Sequence, residues 1–121
     1  MLKKIFVVDD DKAVTDFIET ALQTAGYECV VSNTAEGVLE RARREKPDLI
    51  ILDIVMPGTD GVDLNIALKG DDATRNIPVV FLTGLIQKSE EQADISKKDI
   101  ILAKPFLIDQ LLVKIREVVK G

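Results

Sequence analysis

The sequence predicts an α/β domain built on a doubly wound parallel sheet. Three observations carry that prediction: four short unbroken apolar runs, stretches of helical period between them, and polar residues standing just past the runs. The runs are Ile5-Phe6-Val7-Val8, Leu49-Ile50-Ile51-Leu52, Val79-Val80-Phe81-Leu82 and Ile100-Ile101-Leu102-Ala103. Hydrophobicity that is continuous rather than alternating means a strand covered on both faces, the habit of parallel strands between helix layers.

The elements follow in order. After the first run, Asp11 is a helix N-cap, and Val14, Phe17, Ile18, Ala21, Leu22 and Ala25 form an apolar stripe. Gly26 stands where a helix-terminating glycine belongs. Glu28 to Val31, of mixed polarity, suits an edge strand. Asn33 with Glu36 three residues on resembles a capping box for a second helix, with the stripe Ala35, Val38, Leu39 and Ala42 and a stop at Pro47. A third helix is expected from near Gly61, using Val62, Leu64, Ala67 and Leu68, before Gly70 and the polar loop Asp71 to Asn76. A fourth, around Ser89 to Ser96, is the weakest. The last is strong, with Ile108, Leu111, Leu112, Ile115, Val118 and Val119. Five strands each followed by a helix, joined by right-handed crossovers, give a (βα)5 chain in the flavodoxin-like strand order 2-1-3-4-5. One domain spanning residues 1–121 is expected, with no internal repeat or linker.

Composition removes many chemistries. The 121 residues include no histidine, which excludes Ser-His-Asp and Cys-His catalysis and His-ligated zinc. The net charge of −5 and the absence of a basic run argue against direct binding of nucleic acid. The single cysteine, Cys29, reads as a small strand residue and fits a reducing compartment. No apolar stretch approaches the ~20 residues of a membrane span, and Met1-Leu2-Lys3-Lys4 leads into a strand rather than a signal peptide. The expectation is a cytoplasmic protein with no membrane insertion.

The site is read from the polar residues just past each run. The first strand runs into Asp9-Asp10-Asp11, the third into Asp53, the fourth into Thr83 and the fifth into Lys104. Ligands of open α/β sheets bind beyond the carboxyl ends of the strands where the strand order reverses, here between strands 1 and 3. Singly, Asp9 and Asp10 read equally as a turn and Asp53 as a cap. Jointly, with Thr83 and Lys104 on the adjoining strands, they form a site. Two carboxylates ~4 Å apart repel by about 4 kcal/mol at an effective dielectric of 20. A hard divalent cation relieves that repulsion, and Mg²⁺ suits a few carboxylates with retained waters and a phosphoryl ligand.

With these motifs in place, the chain resembles the receiver domain of bacterial two-component response regulators. The residues that carry the resemblance are Ile5 to Asp10, Pro47 to Gly61, Val79 to Gly84 and Lys104-Pro105-Phe106, in order and at family-like spacing. The resemblance implies that Asp53 is the phosphoacceptor, receiving a phosphoryl group from a sensor histidine kinase or a histidine phosphotransfer protein. It implies Mg²⁺ held by Asp10, Asp53 and the backbone carbonyl of Val55, with Asp9 acting mainly through water. Thr83 and Lys104 would each contact a phosphoryl oxygen. The output would be a changed surface around the fourth helix, fifth strand and fifth helix, offered to a downstream protein target. The chain would assist its own phosphorylation and dephosphorylation without being an enzyme in its own right. Two contexts are expected equally: a stand-alone receiver, as in chemotaxis or a phosphorelay, or the N-terminal piece of a transcription regulator, with Lys120-Gly121 then starting a linker.

Departures from the family pattern are visible. Ile101 stands where an aromatic ring is usual, and Asp94 to Asp99 replaces the usual Ala-Gly-Ala loop. Val55 and Leu85, flanking the expected phosphosite, are apolar and cannot orient an attacking water. Among rival readings, a phosphatase of the haloacid-dehalogenase type needs an acid at position 55, where valine stands. Flavin or nucleotide binding lacks its glycine-rich loop. A receiver fold used only for docking, without phosphorylation, is the remaining alternative.

Overall fold

Each of the apolar runs is a strand, and the alternation hidden inside each run decides which face of the sheet a residue joins. A computed structural model describes residues 2–56, 59–83, 100–103 and 107–119. The chain runs β1 (Lys4–Val8), α1 (Lys12–Thr24), β2 (Glu28–Ser32), α2 (Val38–Glu45) and β3 (Leu49–Asp53). The two-residue strands β4 (Val55–Met56) and β5 (Thr59–Asp60) follow, then α3 (Gly61–Lys69), β6 (Val79–Thr83), β7 (Ile100–Ala103) and α4 (Ile108–Val119). The main sheet has five strands in the order β2-β1-β3-β6-β7, all pairs parallel. This is the doubly wound order expected from the sequence, with β2 at an edge. The helix expected around Ser89 to Ser96 lies outside the described residues.

Because side chains alternate along a strand, the sheet divides its apolar residues between two cores. Phe6, Val8, Ile50, Leu52, Val79 and Phe81 pack with Val38 and Ala42 of α2 and Leu64 and Leu68 of α3. Ile5, Val7, Leu49, Ile51, Val80 and Leu82 pack on the other face with Ile18 and Leu22 of α1 and Leu111 and Ile115 of α4. Arg41 of α2 closes the β2 edge of the first core. Its guanidinium lies over the Phe6 ring, 5.3 Å from the centroid, and donates to the Val31 carbonyl at 2.7 Å.

Helix α1 begins and ends as its sequence indicates. The Asp11 carboxylate accepts from the Ala13 backbone N–H at 2.9 Å, as an N-cap should. At the other end Gly26 takes φ +95°, Gly26 N–H bonds to Gln23 O, and Tyr27 N–H bonds to Leu22 O, the paired pattern of a Schellman terminus. The inward stripe differs in one respect. Thr15, Ile18 and Leu22 are buried, whereas Phe17 is 54% exposed and Ala25 is exposed. At 100° per residue, Phe17 lies about 130° round the helix from the centre of that buried face. In α3, likewise, Ala67 is exposed while Asn65 is buried beside Leu64 and Leu68.

The capping box expected at Asn33 and Glu36 does not form. Helix α2 starts at Val38 behind Gly37, which takes φ +76° and supplies no side-chain cap. The Asn33 amide is instead committed to Asp9 O and Thr15 Oγ1. On β2, burial, helped by the negative charge of Glu19, pushes the Cys29 thiol up to about 12, so at neutral pH it remains a thiol rather than a reactive thiolate. No helix among the described residues is long and apolar enough to cross a membrane.

Among the described residues, one buried side-chain atom, Asn65 Oδ1, has no hydrogen-bond partner. An unpartnered buried carbonyl costs roughly 1–3 kcal/mol. Asn65→Leu, similar in shape and apolar, is therefore expected to raise the stability of the chain by about 1–2 kcal/mol, read as an increase in the urea midpoint at unchanged slope. An unchanged or lower midpoint would show that the amide is satisfied in solution.

Candidate functional site

The site is assembled by strand register. Val8 of β1 pairs with Leu52 of β3, so Asp9 and Asp53, each the next residue, leave the sheet at the same level. Asp53 in turn pairs with Leu82 of β6, and Thr83 pairs with Ala103 of β7. Two backbone bonds hold the chain in line past the strand ends: Asp9 N–H to Ser32 O at 3.1 Å, and Ile54 N–H to Leu82 O at 3.0 Å. The carboxyl ends of the three central strands thus present Asp9, Asp53 and Thr83 along one edge.

Three acids converge there. One carboxylate oxygen from each of Asp9, Asp10 and Asp53 lies within 4.8 Å of the other two. Asp9 is fully buried, Asp53 is 4% exposed and Asp10 is exposed. Two acids reach the site from the sheet interior, and the third closes it from the solvent side. The Asp9 carboxylate is oriented by the Asp11 backbone N–H, which donates to Oδ1 at 2.9 Å. Asp11 itself faces the helix, as its cap. At 4.8 Å, unit charges repel by roughly 3 kcal/mol per pair at an effective dielectric of 20. The donor set is hard oxygen throughout, and three carboxylates leave coordination positions for water and for a ligand oxygen, which fits Mg²⁺ better than a larger cation.

Of the other expected residues, Val55 lies two residues past Asp53 in β4, opposite Asp60 in a short antiparallel ladder with β5. The backbone of Thr83 closes β6 one residue beyond the partner of Asp53. Lys104 falls outside the described residues, as does Leu85. Sequence reasoning missed Asn33 as part of this region. The available signal was its position just past the carboxyl end of β2, next to β1.

A family model for the response regulator receiver domain matches residues 5–116. The chain belongs to the response regulator receiver family. Among relatives of this receiver domain, the phosphate regulon transcriptional regulatory protein PhoB of Pseudomonas aeruginosa is 34% identical over 122 residues, covering 98% of this chain and 52% of that protein. The heme response regulator HssR of Staphylococcus aureus is 35% identical over 115 residues, covering 94% of this chain and 50% of that protein. The receiver domain thus spans about half the length of the curated relatives it matches. Among solved structures, the chemotaxis protein CheY4 of Vibrio cholerae superposes with a TM-score of 0.90 at 26% identity, over 98% of this chain and 99% of that one.

Mutual repulsion among the three acids makes a specific expectation for the metal-free receiver domain. Asp10→Asn removes one charge at the exposed side of the cluster, and in EDTA it is expected to stabilise the fold by on the order of 0.5–1 kcal/mol. The gain in urea midpoint should shrink in 1 M salt, where the Debye length is about 3 Å. A loss of stability in EDTA would mean that the Asp10 charge is matched by a cation of the protein.

Proposed function

We propose that this receiver domain is a phosphoryl-accepting signalling switch in which Asp53 takes a phosphoryl group from the phosphohistidine of a partner kinase or histidine phosphotransfer protein. The observation that carries this reading is the convergence of Asp9, Asp10 and Asp53 at the carboxyl ends of β1 and β3, with Asp53 buried at the strand end. In the transfer, a carboxylate oxygen of Asp53 forms a bond to phosphorus as the N–P bond of the phosphohistidine breaks. The imidazole leaves with that electron pair and is protonated. A carboxylate nucleophile needs no histidine base, which agrees with a chain that has none.

Asp10, Asp53 and the Val55 carbonyl would hold Mg²⁺, with Asp9 contributing mainly through water. When bound, Mg²⁺ supplies neutralisation of the carboxylates and of the charge on the phosphoryl oxygens. Burial of Asp53 limits access of water and fixes the line of attack. Thr83 and Lys104 are assigned to phosphoryl oxygens on the strength of the family pattern. In that role they would gain contacts to phosphoryl oxygens that exist only in the phosphorylated state, which is what a ligand-driven shift between two states requires. The shifted surface would be the one around the expected fourth helix, β7 and α4, and its occupant a downstream protein target. The reading places the protein in the cytoplasm, with its kinase partner.

Intact-protein mass after incubation with acetyl phosphate tests the reading. A gain of one phosphoryl group is expected with Mg²⁺, and none with EDTA or in Asp53→Ala. No adduct in the unmodified chain would favour the docking-module alternative. The apolar pair Val55 and Leu85 adds a kinetic expectation, because neither side chain can orient a hydrolytic water. The acyl phosphate should decay slowly, and Val55→Asn with Leu85→Glu should speed its loss in the same mass assay. Fast decay of the unmodified protein, unchanged in the double variant, would refute this.

A further inference from the structure

Asp9 of the acidic site is held at its N–H, its carboxylate and its carbonyl, and one of its partners is an amide 24 positions away. Its N–H bonds to Ser32 O at 3.1 Å and its Oδ1 accepts from Asp11 N–H. Its backbone carbonyl accepts from Asn33 Nδ2 at 2.9 Å. That carbonyl belongs to the Asp9–Asp10 peptide, whose planarity ties the direction of Asp10 to the carbonyl of Asp9. The same Nδ2 donates its second hydrogen to Thr15 Oγ1 at 2.9 Å. Thr15 is fully buried, and its own hydroxyl proton is directed to Lys12 O at 3.1 Å.

We propose that Asn33 is a positioning residue for the metal site, clamping the Asp9–Asp10 peptide to the buried hydroxyl of Thr15 on α1. This rests on the reading of Asp9, Asp10 and Asp53 as a Mg²⁺ site. The chemistry asks for an amide. Asp9 O is only an acceptor and Thr15 Oγ1 presents a lone pair, so one nitrogen must donate two hydrogens at once. A carboxylate offers none, and a serine hydroxyl offers one. The clamp joins β2, β1 and α1 at a single atom, so it sets where Asp10 stands without touching the metal. Groups that orient metal ligands in this way commonly change metal affinity by 10–100-fold when removed. Asn33 itself is exposed apart from this amide contact and belongs to neither apolar core, so its truncation leaves the cores unaltered.

The test is Mg²⁺ affinity, measured by isothermal titration calorimetry on the unmodified chain, Asn33→Ala, Thr15→Ser and Thr15→Val. Asn33→Ala should raise the dissociation constant about tenfold while the phosphorylation rate at saturating Mg²⁺ stays within about twofold. Thr15→Ser, which keeps the hydroxyl, should retain the affinity of the unmodified chain. Thr15→Val should weaken it, and adding Thr15→Val to Asn33→Ala should produce little further loss, because both remove one clamp. Should Thr15→Val fail to fold, Asn33→Ala and Thr15→Ser decide the matter. Equal Mg²⁺ affinity in Asn33→Ala and the unmodified chain would overturn the proposal alone. If the unmodified chain binds no Mg²⁺, the reading of the site falls and the clamp falls with it.

Discussion

Parallel pairing of β1 with β3 is the constraint on which the rest of the structure depends. The register that sets Val8 against Leu52 brings two carboxylates to one level at the strand ends. It is held by the two cores that flank it: four residues from each of these strands are fully buried. A slip of one residue would exchange every side chain of a strand between the two faces, setting Ile51 where Leu52 packs. Packing against helices on both sides therefore fixes the geometry of a site that gathers three like charges. The apolar core sets where the acids stand, against whatever part of their mutual repulsion is left uncompensated.

The acids differ in how they are held, and the difference suits distinct roles. Asp9 is buried and fastened through both backbone and side chain, so it defines the floor of the site. Asp53 is buried at the end of a central strand, where its position is set by two neighbours in the sheet. Asp10 is exposed, and its direction follows from the peptide it shares with Asp9. Rigid placement of two groups and solvent access at the third is a workable arrangement for the proposed role, which would admit a cation and a phosphoryl donor. Hydrogen bonds that fix such groups beforehand remove the need to reorganise them during transfer.

Most of the fold was legible from local pattern, because burial on both faces writes itself into the sequence as unbroken apolar runs. The order of strands followed from crossover handedness, and the ends of α1 followed from Asp11 and Gly26. The three acids were legible because each stands directly past a run. Asn33 was not, since asparagine serves equally as a helix cap and as a tertiary clamp, and its partner Asp9 is distant in sequence. Phe17 was misplaced for a related reason: Thr15, polar by type, takes the inward position once its hydroxyl is satisfied by Lys12 and Asn33. Strands β4 and β5, two residues each, are too short to leave a periodic signal.

The most direct measurement of the proposed metal-assisted phosphoacceptor site is a crystal structure grown with Mn²⁺, as an anomalous stand-in for Mg²⁺, and beryllofluoride, as a phosphoryl mimic. The expected result is an anomalous peak among the carboxylates of Asp9, Asp10 and Asp53, with beryllium joined to a carboxylate oxygen of Asp53. A metal bound elsewhere, or a mimic seated without contact to Asp53, would contradict it.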